Sequence, residues 1–140
     1  MSANVVWMPG GVRTEIHLTA VDTAGAFCLL TDELPAGWEL PPHSHRGEAE
    51  TMHVISGAMA VEIDGEERIV QAGETAHVPA GVIHSSANAA DEPLRRVVIF
   101  SPAGIERFFL EAGAPSAAEV DARRALDSAL RHGWEFVSAR

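Results

Sequence analysis

The chain has 140 residues, enough for one hydrophobic core but hardly for two, so a single folded unit is expected. Ten basic against twenty acidic residues leave a net charge of −10, which disfavours nucleic acid and anionic membrane surfaces as partners. Every basic residue is Arg, and Lys and Tyr are absent, which excludes a Schiff-base lysine and a tyrosine acid or oxyanion donor.

The opening MSANVVWMPGG lacks a basic start and a long apolar run, and no later run approaches bilayer length. A cytoplasmic location follows as the expectation. Val12, Thr14, Ile16 and Leu18 alternate with Arg13, Glu15 and His17, which predicts a strand with one wet face. The next predicted strand, 26–34, contains Cys28 in the apolar stretch AFCLL; a lone Cys has no intrachain partner and is expected as a buried thiol. Further strands are predicted at 50–56, 59–63, 67–70, 75–78, 84–89 and 94–100, separated by Gly, Pro and Asp-Gly turns. Asp64-Gly65 predicts a tight hairpin, because a type I′ turn needs positive φ at both central residues. This many short strands predicts an all-β sandwich or barrel.

After Pro102 the period changes. Ile105, Phe108, Phe109 and Ala112 fall at helical spacing, with Gly113 placed to end the helix. Ser116 with Glu119 offers a capping box, and Ala122, Ala125, Leu126, Ala129 and Leu130 form one apolar stripe before Gly133. This second helix can cover the barrel, a sheet edge or a partner subunit. His132 at its C-terminal end suits a capping role.

Two segments carry the chemistry. Gly37 precedes His43-Ser44-His45, Glu50 and Gly57, and Gly73 precedes Pro79, Gly81, His84 and Asn88, with fifteen residues between the two segments. Residues two apart on a strand face the same way, so His43 and His45 can converge on one ion, with Glu50 and His84 completing one side of its shell. Three imidazoles and a carboxylate suit a divalent transition metal, and iron, nickel, manganese, cobalt and zinc all tolerate the set. His53 falls on the opposite face from Glu50, and His17 is expected on the wet face. Trp38 is a candidate roof for a substrate pocket or an anchor for its loop. Met52 shares parity with Glu50 and is a candidate for pocket lining or core, and His77 is a further pocket candidate.

These segments resemble the two signatures of the cupin superfamily, G-x5-HxH-x3,4-E-x6-G and G-x5-PxG-x2-H-x3-N, with every signature residue present. Within it the chain is most similar to small single-domain quercetin-dioxygenase-like cupins of bacteria, whose motifs precede a segment like SPAGIERFFLEAG and a helical tail. The resemblance implies a double-stranded β-helix (jelly-roll) barrel over residues 1–101, with motifs at 37–57 and 73–88, and a helical extension over 102–140 packed on it. It further implies one divalent metal on His43, His45, Glu50 and His84, with Glu50 serving also as base, and a homodimer. The implied reaction is that of a dioxygenase on an oxygen-chelating small molecule of flavonol, enediol or diketone type, with O2 as co-substrate. The alternatives are a redox-neutral isomerase, cyclase or lyase using the metal as Lewis acid, and a non-catalytic binding protein.

Overall fold

Alternating inward and outward side chains divide the chain into two antiparallel sheets that face each other across the core. The computed structural model describes residues 4–137. One sheet has six strands in the order β1 (Asn4–Met8), β2 (Val12–Leu18), β3 (Cys28–Leu34), β10 (Leu94–Ser101), β5 (Ala49–Ser56) and β8 (Thr75–Val78). The other has five, in the order β11 (Trp134–Phe136), β4 (Glu39–His45), β9 (His84–Asn88), β6 (Ala58–Ile63) and β7 (Glu66–Gln71). The all-β jelly-roll expectation holds. Between the sheets, Leu30, Met52, Val98 and Ala76 meet Met59, Val61 and Val70, all buried. Period-two alternation accounts for this, because each strand contributes every second residue to the core.

Turns act where the sequence placed them. Asp64 and Gly65 adopt φ of 52° and 83°, the positive values that the β6–β7 hairpin requires. Gly57, between β5 and β6, has φ of 84°, and a Cβ there would lie 3.0 Å from the Pro93 carbonyl oxygen. Only glycine fits both the conformation and the space.

The C-terminal third carries α2 (Glu106–Ala112) and α3 (Ala122–Arg131), joined by a 3-10 turn at Ala117–Glu119. Gly113 caps α2 as predicted. Ser116 does bond Glu119, but within the 3-10 turn; α3 starts at Asp121, whose carboxylate accepts from the Arg124 amide at 3.1 Å. Ala125 and Ala129 are buried, and α3 lies over the barrel. His132 caps α3 and contacts Glu111 at 2.8 Å.

Besides β4 and the 3-10 turn, three elements lay outside the predicted set. β1 pairs with β2, and the short α1 (Ala20–Thr23) links β2 to β3. β11 returns the chain after α3 to pair with β4, placing Trp134 opposite His45 and Phe136 opposite His43. The extension is therefore not wholly helical, because its last described segment joins the sheet that carries the His pair.

Candidate metal centre

The site forms where three strands bring their first or last residues together. His43 and His45, two apart at the end of β4, both point inward, and His84 at the start of β9 lies opposite His43 in register. Glu50 enters from the facing sheet, between Phe100 and Val78. All four side chains are buried, and one ligand atom from each lies within 4.8 Å of the others.

Hydrogen bonds fix the rings. His43 Nδ1 lies 2.8 Å from the Pro41 carbonyl and His84 Nδ1 3.0 Å from that of Val82. A carbonyl only accepts, so each Nδ1 carries hydrogen and each Nε2 turns toward the cluster. Glu50 Oε1 lies 3.1 Å from His84 Nε2 and 3.2 Å from His45 Nε2. His43 Nε2 and His45 Nδ1 are buried without a hydrogen-bond partner, and the approach of His45 Nε2 to Glu50 is a close contact that lacks hydrogen-bond geometry.

A cavity of about 250 Å³ opens beside His43, Glu50 and His84. Trp38, Phe108, Phe109, Leu126, Trp134 and Phe136 are among its walls. Trp134 stacks on His43, with ring centroids 5.0 Å apart and planes at 19°, and meets His45 edge-on at 4.5 Å.

The cupin domain family matches residues 30–100, half of the chain and both signature segments. The chain belongs to the cupin superfamily. It is 31% identical over 94 residues to a quercetin 2,3-dioxygenase of Bacillus subtilis, an alignment covering 67% of this chain and 28% of that protein. The chain thus spans little more than a quarter of that relative's length. Among solved structures it resembles KdgF from a Halomonas species, with a TM-score of 0.66 and 19% identity over 74% of this chain and 90% of that one. It also resembles the Bacillus subtilis oxalate decarboxylase studied for its Mn(II) centres, with a TM-score of 0.62 and 23% identity over 72% and 28% of the two chains. These two structural likenesses support the fold alone.

In this cupin the donor set fits a divalent ion. Three imidazole nitrogens and an ionised carboxylate converge, and the His nitrogens left unpartnered in a dry interior are the groups that an ion would satisfy. Burial raises the Glu50 carboxyl, but His45 and His84 outweigh it and hold it well below the usual carboxylate range. Burial lowers His84, yet Glu50 more than offsets this and keeps it above the ordinary imidazole value. His43 has no such contact, and burial pushes it down to about 4.

The remaining predicted residues divide. Trp38 lines the cavity. Met52 faces inward but is packed in the core behind the cavity wall, its sulfur 3.2 Å from Arg96 Nη1. His77 belongs to neither, because Ala76 and Val78 take the inward positions of β8 and leave His77 on the outer face, 2.9 Å from Thr51 Oγ1. His53 is likewise outward, bonded to Thr75, and His17 is exposed beside Thr31.

Sequence reasoning passed over a second polar group. Arg96 and Asp32 form a buried two-point ion pair, with Nε to Oδ1 at 2.9 Å and Nη2 to Oδ2 at 3.1 Å, in the same cavity wall. Burial works against both charges: at Arg96 the Asp32 carboxylate overcomes it, whereas at Asp32 burial outweighs the guanidinium and raises the carboxyl, and the two-point contact is the arrangement of a charged pair. Strand parity held the signal: Asp32 lies between inward Leu30 and Leu34, and Arg96 between inward Leu94 and Val98.

Proposed function

We propose that this cupin is a metal-dependent enzyme, a dioxygenase acting on a small molecule that chelates through two oxygens. One observation carries the reading: four buried ligand residues converge at the wall of a cavity otherwise dominated by apolar and aromatic side chains. An ion held by these four donors would supply Lewis acidity and a binding point for substrate oxygens at the cavity wall. Flavonols, enediols and diketones present such oxygens. The likeness to a quercetin 2,3-dioxygenase supports oxygenation as the reaction class.

The chain's own residues have defined parts in this reading. His43, His45 and His84 would hold the ion, their rings set by the Pro41 and Val82 carbonyls and by the Trp134 face. Glu50 is ionised at neutral pH and adjoins the cavity, so it can accept the hydroxyl proton that a substrate loses as it becomes a better ligand. Trp38, Phe108, Phe109 and Phe136 hold a planar apolar body and limit water.

The test is metal analysis of wild-type and His84→Ala protein, with O2 uptake measured on a flavonol, enediol and diketone panel. Uptake that needs both metal and His84 supports the assignment. Turnover without O2 replaces it with an isomerase, cyclase or lyase, saturable binding without turnover replaces it with a binding protein, and equal metal in both proteins overturns the ligand set.

A further inference from the structure

The polar row across the six-stranded sheet is not used by the metal chemistry. Register places Thr14 of β2 opposite Asp32 of β3, and Asp32 opposite Arg96 of β10, so the three form a line on the inner face. Ser86 of β9 comes from the facing sheet, and all four line the cavity that adjoins Glu50 and His84. Glu50 lies opposite Phe100, four residues along β10 from Arg96, roughly 13 Å of strand at about 3.3 Å per residue. The metal centre and this row thus share one largely apolar chamber, with Ser86 two residues along β9 from His84.

We propose that Thr14, Asp32, Ser86 and Arg96 form a second subsite, which binds a neutral hydroxyl or carbonyl at the end of the substrate remote from its chelating oxygens. The proposal rests on the chelation reading above and names a further feature of its substrate.

Three observations support it. A buried ion pair is no more stabilising than apolar residues of the same volume, so core stability alone does not account for Asp32 and Arg96 in this wall. The guanidinium is turned to the protein, with Nε and Nη2 on Asp32 and Nη1 on the sulfurs of Met52 and Met59 at 3.2 and 3.3 Å, so that Arg96 fixes the Asp32 carboxylate in the cavity wall. Thr14 Oγ1 is buried with no partner at all, a cost that a ligand oxygen or hydroxyl would remove.

Charge selects the kind of group. Asp32 already neutralises Arg96 through two contacts, so a ligand carboxylate meets no net positive charge and must displace Asp32 or accept repulsion from it. A neutral oxygen can accept from Thr14, and a hydroxyl can also donate to Asp32. Trp38, with the Arg96 guanidinium carbon 5.2 Å from its ring centroid, lines the same cavity with an aromatic face. The subsite therefore fits a planar one- or two-ring chelator carrying a distal neutral oxygen.

The test is titration calorimetry on the metal-loaded full chain. The probes are 3-hydroxychromone, its isomers with one added hydroxyl on the remote ring, and the matching carboxylates. At least one hydroxyl isomer is expected to bind about tenfold tighter than the parent, and every carboxylate more weakly. Thr14→Val should erase the gain and keep or raise the unfolding temperature, since the lost hydroxyl has no partner. Should that variant fail to fold, Ser86→Ala carries the same comparison. Parent binding with no gain from any hydroxyl overturns the subsite alone, as does tightest binding by a carboxylate. No binding by any probe overturns the subsite and the chelation reading together.

Discussion

Trp134 lies face to face with His43, ring centroids 5.0 Å apart, so the last described strand of the chain supports a metal-ligand candidate in its first half. Trp134 also meets His45 and Phe108, joining β4, α2 and β11 around the site. Trp134→Ala should destabilise the protein by about 3 kcal/mol, the usual cost of emptying a buried aromatic site, and lower its metal content. Trp134→Phe should lose much less, because the buried Nε1 has no partner to forfeit. Thermal unfolding and elemental analysis of both variants check this; equal losses in the two would contradict it.

The metal affinity should rise as pH rises above the ordinary imidazole value of about 6.5. His84 is held above that value by Glu50 and must give up its proton to become a ligand, whereas His43, pushed down to about 4, is already neutral. In the metal-free protein the signs differ by residue. Raised His84 contributes stability below about 6.5, lost as pH rises through its folded value; depressed Glu50 contributes above the normal carboxylate range, lost as pH falls through its own. His43 opposes His84, costing stability as pH falls from about 6.5 to about 4. Calorimetric titration of metal in two buffers of different ionisation heat at pH 7 should detect proton release. An identical heat in both would refute the assignment to His84.

The metal ligands were legible because local rules place them. His43 and His45 are fixed by a two-residue period, and Glu50 and His84 by short spacings within their motifs. The Arg96–Asp32 pair is 64 residues apart in sequence, and recognising it required knowing that β10 lies beside β3. β11 is three residues long and pairs with a strand about two thirds of the chain away, where no local pattern can point to it. Met52 faces inward with Glu50, as parity predicts, but parity does not tell which inward residues border a cavity. His77 was decidable in principle, since Ala76 and Val78 alternate with it as an inward pair.

Cys28 should resist thiol reagents in the native state. It is fully buried, and burial together with the nearby Glu106 carboxylate pushes its thiol up to about 12, so the reactive thiolate is scarce at pH 8. Disulfide-exchange labelling should follow the unfolding transition, and Cys28→Ser should leave metal content unchanged. Rapid labelling of folded protein at pH 8 would contradict the burial.

Gly113 fastens the cavity-covering extension to the barrel, and replacing it should loosen both. A Cβ at this position would lie 2.5 Å from the Phe109 carbonyl oxygen and 2.5 Å from Val6 Cβ, distances that neither backbone nor branched side chain can accept unmoved. The next residue, Ala114, exchanges backbone hydrogen bonds with Trp7 at 2.8 and 2.9 Å, so movement here separates α2 from β1. Gly113→Ala should cost about 1–3 kcal/mol and speed hydrogen exchange at Trp7 and Ala114, while the wall formed by Phe108 and Phe109 loses its fixed position. Gly47→Ala, where an added Cβ meets nothing within 4 Å and φ is not positive, is the matched control and should change stability by less than about 0.5 kcal/mol. Equal unfolding temperatures for the two variants would show that this contact does not hold the extension in place.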